Sequence, residues 1–309
     1  MADFSISDVA FTGFRVIRSR PKAFAIWVGV QIALSLLMLL VMLGPVGTSL
    51  SQWQTTAFSG HPDPAQTAAM FKQIAPLYAL GLLAMLIIYP VVFAAMNRIV
   101  LRPEDDRFAY LRLGMDELRQ LGLMLLYIAT LIGLEIVVMI AAMIIAIVIA
   151  LISRQLAGVA AIIGVPVIYG AFIFVAVRLC LASPLTFASG RIDLFGSWKL
   201  TKGRFWRLFG TAALVLCLTI ALYLLIGVLI AAISVIPGSG LSFSDFFRPN
   251  LSSANAYFTP GRIISLVLTT PIAVSLIPLW LTPPAAIYRA LAAAPGQTPG
   301  GASLDEVFA

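Results

Sequence analysis

Long apolar runs separated by short polar segments set the pattern of this 309-residue chain. A helix of about 20 apolar residues crosses the roughly 30 Å hydrocarbon core of a bilayer. Six runs reach that length, over residues 24–46, 77–100, 121–152, 159–187, 208–236 and 263–287. They predict an all-α integral membrane protein with about six transmembrane helices. The third and fourth runs exceed the minimum and are expected to tilt or to project beyond the bilayer. Trp27, Tyr78, Tyr127, Trp206 and Tyr288 lie near the run ends, where amphipathic rings favour the headgroup level. The connections at 47–75, 154–158 and 237–262 form one set. They hold Ser, Gly, Pro and Thr, which suit surface turns. Residues 1–293 read as one polytopic domain. The tail 294–309, with its APGQTPGGAS stretch, reads as a flexible tether.

Composition removes the soluble alternatives. Hydrophobic residues make up 61% of the chain and charged residues 11%, with a mean hydropathy of +1.02. Soluble domains carry about 25% charged residues. The net charge of +7 would suit nucleic acid in a soluble protein, but its placement points elsewhere. Of the 20 Lys and Arg residues, 16 fall in Arg15 to Lys22, Arg98 to Arg119, Arg178 to Arg207 and Arg289. The remaining four are Lys72, Arg154, Arg248 and Arg262, all in the opposite set of connections. The positive-inside rule then puts the first set, and both chain ends, in the cytoplasm. Cys180 and Cys217 sit inside apolar runs and read as buried free thiols. The start of the chain does not read as a cleaved signal: Asp3 and Asp8 precede the basic residues, and the first apolar run is too long.

An internal repeat organises the runs. Residues 14–20 read FRVIRSR and 198–204 read WKLTKGR, matching in class at six of seven places. Each stretch stands just before an apolar run, and LRLGMDELR at 111–119 is a weaker version before the third. The even-numbered runs share a proline, Pro90, Pro184 or Pro283, followed by Arg98, Arg191 or Arg289. Three parallel copies follow, at about 5–103, 104–191 and 192–293, each an interfacial helix plus a transmembrane hairpin. Parallel copies differ from the inverted repeats of many transporters. The prolines are expected to kink their helices.

The basic segments have a physical rationale. Ser5 or Ser7 can cap a first helix with Asp8 in its opening turn, and Phe11, Phe14 and Ile17 then share one side. In the third copy Leu194, Trp198, Thr201, Phe205 and Leu208 share a side at helical spacing. Such helices lie in the headgroup plane. Arg15, Arg18, Arg20, Lys199, Lys202, Arg204 and Arg207 are therefore candidate contacts for anionic lipid headgroups. The alternative is an anchor that only holds each hairpin in register.

The stretch PLTFASGRIDLFGSWKLTKGRFWRLFG at 184–210 resembles a pattern in bacterial inner-membrane proteins. These are the membrane domain fused to glycerophosphoryl diester phosphodiesterases and the related YciC-type proteins of unassigned activity. The similar elements are the proline ending a span, then Ser197, Leu200, Thr201, Gly203, Arg204, Phe205 and Trp206 leading into the next. The opening DVAFTGFRVIRSRPKAF at 8–24 is similar too. Members often carry an acidic residue shortly after the proline, where Ser189 and Gly190 stand here. The resemblance implies an inner-membrane module without catalytic activity, since the 309 residues leave no segment for the phosphodiesterase domain.

A search for chemistry returns little. His61 is the lone histidine, in a connection beside Pro62 and Asp63. No metal-ligand spacing, phosphate-binding loop or nucleophile–base set is visible, so no cofactor, metal or enzyme activity is expected. The acidic run Glu104, Asp105, Asp106 reads as a solvated helix start, with an interfacial segment from Phe108 onward. One charge stands out. Glu135 lies about 20 Å into the third run at about 1.5 Å per residue, where a carboxylate is costly. Three roles stay open: a protonated acid bonded to a neighbouring helix, an ion pair with Arg178, or part of a proton, ion or solute path. Two functions follow. One is a non-catalytic module for envelope or lipid homeostasis, binding membrane lipid or a membrane-protein partner. The other is a transporter or channel lined by Glu135 and Arg178.

Overall fold

The computed structural model describes residues 4–43, 47–49, 64–152, 154–247 and 249–292. Helix is the only regular structure among them. Two short helices, α1 (Ile6–Ala10) and α2 (Thr12–Ser19), lead into α3 (Pro21–Met42). Ser5 Oγ accepts the Asp8 N–H at 3.4 Å and so caps α1. Pro21 opens α3, where its missing N–H costs nothing. Next come α4 (Pro64–Leu101), a tight turn over Arg107–Tyr110, α5 (Met115–Ile152) and α6 (Arg154–Leu179). After them lie α7 (Ala182–Ser189), α8 (Gly196–Leu200), α9 (Phe205–Ser234), α10 (Phe243–Phe247), α11 (Ala254–Tyr257) and α12 (Pro260–Ala292).

Six stretches among the described residues are long and apolar enough to cross a bilayer, carried by α3, α4, α5, α6 with α7, α9 and α12. A soluble helix hides its apolar stripe, but these helices turn theirs outward. Leu40 is 68% exposed, Val137 64%, Leu224 65% and Val267 62%. Side chains of that kind cost about 25 cal/mol per Å² in water and nothing in lipid. The chain is an all-α, multi-pass membrane protein.

The helix bounds depart from the expected runs in physically readable ways. The second helix starts at Pro64 rather than 77, so Lys72 belongs to α4 and not to a loop. The segment PAQTAAMFKQIA has good helix formers but too many polar residues to register as apolar. The fourth run is split, with α6 ending at Leu179 and α7 beginning at Ala182. Pro184 has no N–H for the Cys180 carbonyl, so the α-helical ladder stops there. At Pro90 and Pro283 the helices run through without interruption. Thr201 and Leu208 are buried, but not on one continuous helix with Trp198. The chain turns between α8 and α9, with Gly203 at φ 78°, a conformation glycine takes freely. Before α5, residues 108–110 form a left-handed turn rather than an interfacial helix. His61 and the tail 294–309, expected to be solvated and flexible, lie outside the described residues.

The chain divides into two compact units. The first comprises 1–10, 89–213 and 281–309; the second comprises 11–88 and 214–280. In the first, α5 packs along α6 and α7. Leu123, Leu179, Ala182 and Leu194 form its apolar cluster, with Tyr127 and Val175 against it. In the second, Ile226, Ile230 and Ile233 project from one side of α9 onto Leu241 and Ile272. Trp280 Nε1 donates to Thr219 Oγ1 at 2.9 Å, tying α12 to α9 within that unit. Gly13 of α2 meets the α12 backbone so closely that a Cβ there would lie 2.6 Å from Leu279 Cα.

Candidate functional site

The polar residues of the first unit gather in two places. The first is built on Arg98, in the last turn of α4, which is completely buried. Its Nη2 reaches Glu117 Oε1 at 2.5 Å and its Nη1 donates to the Tyr110 carbonyl at 2.6 Å. Asp116 and Asp105 stand at 3.7 and 3.8 Å. Around this core, Arg112 pairs with Asp105 at 2.7 Å and Arg119 with Asp116 at 3.0 Å. Arg102 pairs with Asp116 at 3.4 Å and lies over the Phe187 ring, 4.7 Å from its centre. Asp116 and Glu117 sit in the first turn of α5, where the helix dipole favours negative charge.

The left-handed turn serves this core. Phe108, Ala109 and Tyr110 have φ of 51°, 55° and 66°, which costs non-glycine residues roughly 1–2 kcal/mol each. It buries the Tyr110 ring, aims the Tyr110 carbonyl at Arg98 and lets Tyr110 Oη donate to the Pro103 carbonyl at 2.9 Å. It also leaves Phe108 83% exposed. Beside it, Asn97 Nδ2 donates to Ser183 Oγ at 2.7 Å, which donates to Gln120 Oε1 at 2.9 Å. Gln120 Nε2 returns a bond to the Ser183 carbonyl at 3.0 Å. This amide–hydroxyl chain joins α4, α5 and α7. Arg289 Nη1 adds α12 through the Val100 carbonyl at 2.8 Å. The ion pairs of the network join four arginines, Arg98, Arg102, Arg112 and Arg119, to three carboxylates, Asp105, Asp116 and Glu117. The network holds α4, α5, α7 and α12 together.

The second place is the break between α6 and α7. Ser197 Oγ donates to the Arg178 carbonyl at 2.8 Å and accepts the Leu181 N–H at 3.2 Å. One hydroxyl therefore serves an orphan acceptor of α6 and an orphan donor at the start of α7. Thr201 Oγ1 lies 3.2 Å from the same carbonyl and 2.9 Å from that of Ser197. The Arg178 guanidinium stacks near Phe174 and Trp198, at 5.3 and 5.6 Å from the ring centres. Phe174, Trp198, Phe205, Trp206 and Phe209 form a continuous chain of ring contacts. Trp206 is 77% exposed, and Lys199, Lys202 and Arg207 are exposed near it in sequence.

The sequence-expected residues fall as follows. Glu135 is exposed on α5 and makes no ion pair with Arg178 among the described residues. Arg204 is half-buried, its Nη1 donating to the Leu200 carbonyl at 3.2 Å. Arg15 and Arg20 are half-buried and Arg18 is exposed on the second unit. Both cysteines are free, Cys180 half-buried and Cys217 exposed. No group of three or more His, Cys, Asp or Glu suited to a metal ion occurs among the described residues. Sequence reasoning missed the Asn97–Ser183–Gln120 chain and the Arg98–Glu117 pair. The legible signal was Asn97–Arg98, two adjacent polar residues inside an apolar run.

Fold and sites together define a polytopic α-helical membrane protein whose charged residues are concentrated in one unit. Comparison with protein-family models, with curated proteins and with solved structures gave no match.

Proposed function

We propose that this chain is a non-catalytic module of a bacterial inner membrane, with both termini cytoplasmic. It supports envelope or lipid homeostasis by holding anionic lipid, or a membrane-protein partner, at its basic segments. One observation carries the reading: the exposed cations Lys199 and Lys202 follow Trp198 in sequence, and Trp198 belongs to a five-ring aromatic chain whose Trp206 is also exposed. Aromatic rings mark headgroup depth, and cations there attract anionic lipid. Phe108 supplies a further apolar side chain at the arginine-rich unit.

The proposal includes three parallel copies of an interfacial segment plus hairpin. Two of the copies support it locally. FRVIRSR and WKLTKGR end on Arg20 and Arg204, and in both the spanning helix starts at the next residue, Pro21 or Phe205. The transport reading rests on Glu135, a carboxylate exposed on a spanning helix. It has the weaker support, because Glu135 and Arg178 form no ion pair among the described residues.

The test reconstitutes the full chain in proteoliposomes with and without phosphatidylglycerol. The expected result is preferential retention of phosphatidylglycerol on re-extraction, with no solute or ion flux. Flux abolished by Glu135→Gln would replace this reading with transport.

A further inference from the structure

The protein encloses two arginines in its first unit and treats them differently. Arg98 has three carboxylates within 4 Å. Arg178 has none within ion-pair distance among the described residues, although its Nε and Nη1 are enclosed without hydrogen-bond partners. Rings cover it instead, Phe174 on α6 and Trp198 on α8. No carboxylate among the described residues answers this guanidinium, which suits it to an anion from outside the chain. Nη2 is not among its enclosed atoms, so one edge of the guanidinium remains approachable. Lys199 directly follows Trp198, and Lys202 lies in the turn after α8; both are exposed. Neither takes part in an ion pair among the described residues.

We infer that Arg178, Trp198, Lys199 and Lys202 form a site for the phosphate of an anionic phospholipid headgroup. A guanidinium edge and two ammonium groups suit a phosphate, as charge-assisted donors to its oxygens. The rings hold the cation at the depth where such a phosphate lies. The Ser197 and Thr201 hydroxyls bind the Arg178 carbonyl, and so tie the backbone of Arg178 to the segment that carries Trp198 and both lysines. The inference rests on the lipid-binding reading above and sharpens it to one headgroup and one guanidinium.

The experiment counts lipids retained by the purified full-length chain in native mass spectrometry. The chain is equilibrated with phosphatidylglycerol or with phosphatidylcholine, and inorganic phosphate is added as a competitor in a separate arm. Wild type is expected to retain phosphatidylglycerol over phosphatidylcholine. Arg178→Gln is expected to lose that retention about tenfold or more, as befits a charge-assisted hydrogen bond. Lys199→Gln with Lys202→Gln should lower it by a smaller factor, and Arg191→Gln should leave it unchanged. Wild type retaining phosphatidylglycerol, with Arg178→Gln retaining it equally, would overturn the site and leave lipid binding standing. Wild type retaining neither lipid would overturn the lipid reading itself. Displacement by inorganic phosphate at concentrations that leave other lipids bound would make free phosphate, not lipid, the source. Should Arg178→Gln fail to fold, Lys199→Gln with Lys202→Gln decides: wild type retaining phosphatidylglycerol and that double variant retaining it equally sinks the proposal.

Discussion

At the scale of single residues, burial separates charges that organise the molecule from charges that meet its surroundings. Arg98 is wholly buried and Glu117 nearly so; removing Arg98 strands the Glu117 carboxylate in a low-dielectric interior, and removing Glu117 leaves Arg98 only the more distant Asp105 and Asp116. Such losses cost about 3–5 kcal/mol, whereas replacing both partners by apolar residues costs far less. Glu117→Gln and Arg98→Met should each lower the melting temperature in detergent sharply, and Arg98→Met with Glu117→Met should recover much of the loss. Additive losses in that cycle would show that the pair does not act as a unit. Gly13 poses a steric case. Its hydrogen faces the α12 backbone, and the Cβ of alanine would stand 2.6 Å from Leu279 Cα. Backbone cannot rotate aside as a side chain can, so Gly13→Ala should destabilise the chain by roughly 1–3 kcal/mol, read as a lower melting temperature. Gly29 has open space around it, and Gly29→Ala should be near neutral or slightly stabilising by helix propensity.

At the scale of elements, helix ends rather than helix middles carry the polar chemistry. Pro184 withholds a donor at the α6–α7 break, and Ser197 spans the break with one hydroxyl acting as donor and acceptor. Ser197→Ala leaves the buried Leu181 N–H without its acceptor and the Arg178 carbonyl with Thr201 alone, at about 1–3 kcal/mol. Its expected signature is faster backbone hydrogen exchange at 178–182, with α9 unchanged; uniform protection would refute the splice. The resemblance singled out Ser197, Thr201 and Gly203 by pattern alone, and the structure supplies physical reasons. Two are buried hydroxyls bonded to carbonyls, and the third takes a left-handed turn. What the pattern could not reveal was the interruption of the amphipathic segment. Helical spacing placed Leu194 through Leu208 on one face, but periodicity does not register a turn whose ends are held by tertiary hydrogen bonds.

At the scale of the whole molecule, charge asymmetry makes a topological prediction. With Cys180 and Cys217 replaced, a cysteine introduced at Lys202 or Arg112 should resist a membrane-impermeant thiol reagent in intact cells and react after permeabilisation. Labelling in intact cells would reverse the orientation and remove the inner-leaflet lipid reading with it. Six spans were legible because each spanning helix must carry its own apolar length, a requirement local to the chain. The start of α4 at Pro64 was not, because helix propensity extends beyond the apolar stretch.

The amino-acid sequence by itself determined the solvent, the number of spans and the sorting of cations, since hydrophobic transfer and charge placement are summed residue by residue. Only the tertiary structure decided which charges meet. Glu135 and Arg178, one possible pair on neighbouring spans, form no ion pair among the described residues, whereas Arg98 and Glu117, 19 positions distant in sequence, share a buried one. Depth in a bilayer constrains one coordinate of a side chain. Rotation about each helix axis and the path of the connecting turns set the others, and these arise from packing between segments remote in sequence.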